Sequence, residues 1–182
     1  DFSATGRTNI GTTGIYAIYR EQPSVSGTVS SPTITYGDDV PTSFSVSGAS
    51  GLVNGDAVTG FTVGGVTDPA NLNSAGLLKV KDGGYAITVS NLSGLGYDLS
   101  GLTAGTLTVD PLASATWIGS DGNWSDASNW AVAGELSKTG VIPTDGNVLL
   151  AVLPANFTDV LTVDVNHGHE GKIKIAGGTL SV

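Results

Sequence analysis

The sequence predicts an all-β protein of many short strands with at most one short helix. Three observations predict it. In a chain of 182 residues, 40% are hydrophobic, only 13% are charged and 27 are Gly, with Thr, Ser and Val abundant. Such a composition suits short strands joined by tight turns. Turn-forming steps recur between β-prone runs, at Gly37-Asp38-Asp39 and at Asn54-Gly55-Asp56. No window carries the apolar period of an amphipathic helix.

Taken in order, residues 1–22 hold Ile15-Tyr16-Ala17-Ile18-Tyr19, which echoes Gly84-Tyr85-Ala86-Ile87-Thr88 at an offset of 69 residues. A unit that recurs in series is built to extend. The run reads equally as the end of a preceding repeat or as the first strand of the domain that follows. Residues 25–36 form the next β run, interrupted at Ser31-Pro32, where Pro is tolerated only at an edge or bulge. Residues 43–47 alternate, with Phe44 and Val46 on one face, and Phe61 and Val63 repeat that spacing. Residues 78–81 alternate too, and Asp82-Gly83 supplies a hairpin-type turn into a strand over 85–89. At most one short helix is expected, near residues 70–75. The strand over 106–109 closes the series before Asp110-Pro111.

Charge and composition then exclude several classes. Sixteen acidic residues against seven Lys and Arg leave a formal charge of −9. A nucleic-acid backbone is repelled by such a chain, so no nucleic-acid partner is expected. The composition is unlike a disordered tail, which combines low hydrophobicity with high charge. Cys and Met are both absent, so stability has to come from packing and backbone pairing rather than disulfides. No run of about 18 apolar residues appears, and no transmembrane segment is expected. No signal-peptide pattern is present, and the opening at Asp1-Phe2-Ser3 reads as the start of an excised fragment.

Four pieces stand in sequence: the Tyr36-Gly37-Asp38 turn, the Gly51-Leu52-Val53-Asn54-Gly55-Asp56 segment, the Gly84-Tyr85-Ala86-Ile87 strand and the Gly105-Thr106-Leu107-Thr108-Val109 end strand. In that order they resemble the MBG domain of bacterial adhesins, over about residues 23–112. That family is named for a mostly-β-grasp fold and distinguished by a Tyr-Gly-X motif. A Leu-, Ser- and Gly-rich insertion at residues 92–102 departs from its pattern and leaves the strand limits there open. The resemblance implies a stalk element without an active site, repeated in filamentous-haemagglutinin-like exoproteins that leave Gram-negative cells by two-partner secretion. The lack of Cys fits such a route, since oxidised bridges hinder export of an unfolded chain.

After Pro111 the texture changes. Trp117, Trp124 and Trp130 lie within fourteen residues, among Gly122-Asn123-Trp124-Ser125-Asp126 and Asn129-Trp130, followed by Pro143-Thr144-Asp145-Gly146-Asn147-Val148. This order resembles the segment that leads into a right-handed parallel β-helix in autotransporters and large exoproteins, with residues 173–182 as its first rungs. A solenoid buries a continuous core only by stacking several repeats, and residues 113–182 have room for two or three. The expectation is a truncated β-helix or a small sandwich closed by a Trp-rich cap. Because the composition switches at Asp110-Pro111-Leu112, residues 23–112 and 113–182 are expected to form separate cores.

Trp117, Trp124 and Trp130 with Asp126 and Asn129 are the candidate ligand-binding residues. An aromatic row could stack on the apolar faces of sugar rings, with Asp126 and Asn129 as polar partners. The alternative is a cap, with at least two of the rings buried as the largest apolar surface of a small unit. His167 and His169 would face one way on a strand, a workable metal spacing. No third ligand is evident, and the neighbouring Gly168 and Gly171 favour a solvated turn. Asp38-Asp39, Asn54-Gly55-Asp56 and Asp121-Gly122-Asn123 with Asp126 offer oxygen ligands, but Asp and Asn in turns bond mostly to their own backbone. No cofactor and no metal are expected, and stability should be indifferent to chelator. Sequons stand at Asn91, Asn123 and Asn156. No Gly-x-Ser-x-Gly elbow, catalytic triad or acidic pair stands out, so no enzyme is expected. The function expected from the resemblance is a stalk segment of a secreted surface adhesin or biofilm-matrix exoprotein, the alternative a carbohydrate-binding module. Its implied partners are a host-cell or matrix surface and an outer-membrane two-partner-secretion transporter.

Overall fold

The computed structural model describes residues 7–9, 16–18, 22–93, 96–144, 146–155, 157, 161–162 and 172–175. Its described elements are strands and two one-turn 3-10 helices, so the fold class is all-β. Strands β1 (Arg7–Asn9) and β2 (Tyr16–Ile18) form an antiparallel pair of their own. Among the described residues this pair joins no other sheet.

Seven strands make the next unit: β3 (Ser24–Val29), β4 (Thr33–Thr35), β5 (Val46–Ser50), β6 (Val58–Val63), β7 (Tyr85–Leu92), β8 (Asp98–Thr103) and β9 (Gly105–Asp110). They form a three-stranded sheet, β5-β3-β8, and a four-stranded sheet, β4-β9-β7-β6. Alternation places Tyr85 and Ile87 of β7, and Leu107 and Val109 of β9, in the core, all at 2% exposure or less. Ser31-Pro32 falls in the break where the chain leaves β3 for β4 and changes sheet, a place where no ladder N–H is required of proline.

Several expected elements differ. The run over 43–47 shifts to β5, and Phe44 lies outside it, packed edge-on against Phe61 with ring centroids 5.6 Å apart. Residues 78–81 make no strand beyond a bridge from Leu78 to Leu72. Their backbone is claimed by polar groups instead: the Lys79 N–H donates to Asn71 O and the Val80 N–H to Asn147 Oδ1. The helix expected near 70–75 is a single 3-10 turn, Pro69–Asn71, capped by the Asp68 carboxylate on the Ala70 N–H. The segment read as an insertion supplies β8, which pairs in parallel with β3.

The remaining strands are β10 (Ala115–Trp117), β11 (Gly122–Asn123), β12 (Trp130–Val132), β13 (Glu135–Thr139), β14 (Leu150–Leu153), β15 (Leu161–Thr162) and β16 (Lys172–Ile175). Five of them form one sheet in the order β13-β12-β10-β14-β16, and β11 pairs with β15. Two of its pairings, β10 with β14 and β14 with β16, are parallel, as is β11 with β15. The sheet is thus mixed, with β10, β14 and β16 side by side in parallel and β10, β12 and β13 antiparallel.

The two units were expected to have separate cores, and here the structure corrects the sequence. Among the described residues no strand of one sheet set enters the other. The buried apolar residues nonetheless make one contiguous cluster, running from Val29, Tyr36, Leu78, Tyr85 and Leu107 through Leu112 to Trp117, Trp130, Val141, Ile142 and Phe157. The change of texture at Pro111 marks a change of strand pattern, not a break in packing.

Candidate functional site

The tryptophans are brought together by strand register and a turn. Trp117 on β10 and Trp130 on β12 are direct antiparallel partners, and their rings meet edge to face at 5.2 Å. Trp124, in the turn after β11, meets Trp130 at 4.7 Å, and Phe157 meets Trp117 at 6.2 Å. T-shaped contacts of this kind set the positive edge of one ring against the negative face of the next. The Trp124 indole donates to Pro143 O at 3.1 Å, and the Trp130 indole to Trp124 O at 2.8 Å. The Trp117 indole N–H is buried and has no partner among the described residues.

All three rings are at most 1% exposed, so the expected burial of at least two holds for every one. A sugar platform needs open ring faces, and these faces are packed against each other and against Phe157. Asp126 and Asn129 lie on the same loop but serve its geometry. The Asp126 carboxylate accepts from the Ser128 N–H at 3.0 Å and from Ser128 Oγ at 2.7 Å, capping the 3-10 turn Ala127–Asn129. Those bonds, led by the hydroxyl, hold its carboxyl below the usual carboxylate range. Asn129 donates to Asn123 O at 3.3 Å and sits where a Cβ on Gly122 would come within 2.7 Å of its Nδ2. The loop is built around the Asn129 amide.

The sequence marks Tyr36-Gly37-Asp38 as a turn motif and Asp38 as an oxygen ligand, but not as contacts at the junction of the two units. Tyr36, Gly37 and Asp38 turn directly after β4, and each faces the C-terminal unit or its supports. The buried Tyr36 hydroxyl accepts from Asn73 Nδ2 at 2.6 Å, and the same Nδ2 donates to Gly140 O at 2.7 Å. Gly37 has φ +98, and a Cβ there would come within 2.7 Å of Val141 Cγ1. Asp38 accepts from the Thr35 N–H at 2.8 Å and is ion-paired with Lys138 on β13. The Lys138 hydrogen bond, then the Thr35 N–H, holds the Asp38 carboxyl below its ordinary range. The two side chains, Lys138 and Asp38, are 34% and 41% exposed.

Asn147, fully buried, completes the junction: Oδ1 accepts from the Val80 N–H at 2.7 Å and Nδ2 donates to Thr144 O at 2.7 Å. Its backbone carbonyl accepts from the Leu112 N–H at 2.8 Å. The sequence marks Asn147 only as part of the run from Pro143 to Val148 and does not mark Asn73, because an Asn in a turn reads as a solvated turn former whether or not it bridges two units.

The other expected positions are dispersed. Asp56 accepts from the Tyr97 hydroxyl at 2.6 Å and from Ser93 Oγ at 3.3 Å, tying the Asn54-Gly55-Asp56 turn to the chain after β7. Among the described residues no group of three His, Cys, Asp or Glu could hold a metal ion. His167, His169, Glu170, Asn156 and residues 176–182 lie outside the described residues. Asn91 and Asn123 are both exposed. No helix of the described residues is long and apolar enough to cross a membrane, which says nothing of a β-barrel.

Comparison with known proteins bears on the first unit. Residues 25–108 match the MBG domain family, YGX type. The match covers under half of the chain. It takes in most of β3, β4 to β8 and most of β9, and the Tyr36-Gly37-Asp38 turn that meets the C-terminal unit lies within it. No curated protein and no solved structure matches the chain.

Proposed function

We propose that the chain is a structural stalk segment of a large bacterial surface adhesin or biofilm-matrix exoprotein, and that it works without catalysis. The observation that carries this reading is the MBG match over residues 25–108. The continuous core supports it: two units that share buried surface transmit orientation as well as tension, as a shaft must. Parallel stacking of β10, β14 and β16 supports reading the second unit as the start of a parallel β-helix. The net charge of −9 supports a soluble, self-repelling surface. In this reading the protein is exported to the outside of a Gram-negative cell through an outer-membrane two-partner-secretion transporter. Its parent contacts a host or matrix surface elsewhere along its length.

The test is a glycan array and a cell-binding assay with the purified chain. The expected result is no saturable binding. Saturable glycan binding would favour the alternative of a carbohydrate-binding module. Burial of Trp117, Trp124 and Trp130 weighs against that alternative, because the cluster would have to open first.

A further inference from the structure

We propose that the MBG module is a shear clamp: its first and last strands pair in parallel, so tension along the chain loads the whole ladder at once. This rests on the stalk reading and names the strands of the module that would bear load.

β3 and β4 form one bent path, and β8 and β9 form a second beside it. Ser24, Ser26, Gly27 and Thr28 pair with Asp98, Gly101, Leu102 and Thr103, and Thr33, Ile34 and Thr35 with Thr108, Val109 and Asp110, all in parallel. The bonding does not lapse where both paths change sheet. There the Thr106 N–H donates to Ser31 Oγ and the Thr108 N–H to Pro32 O, each at 3.0 Å. The ends are fastened too, by the Asp98 N–H on Pro23 O at 2.9 Å and the Tyr36 N–H on Asp110 O at 2.8 Å. The paths also interlock sterically: Gly101 runs so close to β3 that a Cβ would lie 2.8 Å from Val25 O, and one at Gly105 would collide with Ser30 O.

Direction decides the mechanics. The chain enters the module beside Asp98 and leaves it beside Tyr36, at opposite ends of the paired paths. Tension draws the first path backward along its axis and the last path forward along its own. The pairs share the load, and none opens until the register slips. An antiparallel pair pulled at its open end behaves oppositely. β6 and β7, with Val58 opposite Leu92, would unzip with each residue pair opening in turn.

Because the sequence has no Cys, two engineered cysteines give unique attachment points for single-molecule force spectroscopy on the full chain. Gln22→Cys with Ala113→Cys loads the clamp in shear, and Thr59→Cys with Ser90→Cys peels β7 from β6; all four positions are exposed. At one pulling rate the shear geometry should rupture at a several-fold higher force. Equal or lower force in shear would overturn the clamp and leave the stalk reading standing. Saturable glycan or cell binding by the unstretched chain would overturn the stalk reading and leave the force difference intact.

Discussion

At the residue scale the tryptophans differ in what they hold. Trp124 and Trp130 each satisfy a backbone carbonyl through the indole N–H, while Trp117 has no such partner among the described residues. Replacement by Phe removes similar volume at all three sites. At Trp124 and Trp130 it also removes a hydrogen bond to a backbone carbonyl, a net loss of about 0.5–1.5 kcal/mol. Chemical denaturation should therefore rank Trp117→Phe as the mildest of the three, and an equal or larger loss at Trp117 would contradict the assignment. The parent emission should be blue-shifted and poorly quenched by iodide. Asp38 gives a pH signature. Its folded pKa lies below the unfolded value, so its stabilising contribution is complete above the ordinary carboxylate pKa of about 4. It is lost as pH falls through the depressed folded value. Melting temperature should fall more steeply below pH 4 in the parent than in Asp38→Asn, and parallel slopes would show that the Lys138 pair contributes nothing. Tryptophan burial was legible in the sequence, because a small unit with one further aromatic, Phe157, has little else of that size to bury. The bridging role of Asn73 and Asn147 was not, since it depends on which backbone groups another unit brings within reach.

At the scale of elements, alternation was a sound guide wherever one face of a strand met the core. Tyr85, Ile87, Leu107 and Val109 are the clearest cases. It failed at residues 78–81, where Leu78 is buried but the neighbouring N–H groups are taken by Asn71 and Asn147. It also failed at β8, because Leu, Ser and Gly carry weak strand propensity and the partner strand lies some 75 residues earlier. Parallel pairing at such separation is invisible to any local window. The close approach of the paths predicts a specific sensitivity. Gly105→Ala places a methyl against the Ser30 carbonyl, and backbone cannot yield as a flexible side chain does. The substitution should lower the melting temperature by several degrees, as expected for a loss of about 1–3 kcal/mol from overpacking. An unchanged melt would mean that the two paths separate without cost.

For the whole molecule the continuous core decides cooperativity. Truncation after Leu112 removes Val141 from Gly37, Lys138 from Asp38, and Asn147 from Val80 and Leu112. It uncovers apolar surface on the remaining module. The full chain should melt in one transition with equal calorimetric and van't Hoff enthalpies, and the truncated chain should melt markedly lower. Two resolved transitions, or a truncated module as stable as the parent, would restore the picture of independent cores.

The sequence by itself determined the all-β class, the place of the Tyr36-Gly37-Asp38 turn and the burial of the aromatic cluster. These follow from local composition, turn chemistry and the apolar surface a short segment has available to bury. Only the tertiary structure decided that the two units share a core, that β8 joins β3 and that the Tyr-Gly-Asp turn faces the C-terminal unit. Each of these depends on contacts between residues far apart in the chain. Such contacts are selected by shape and by unsatisfied backbone groups, which no local pattern records.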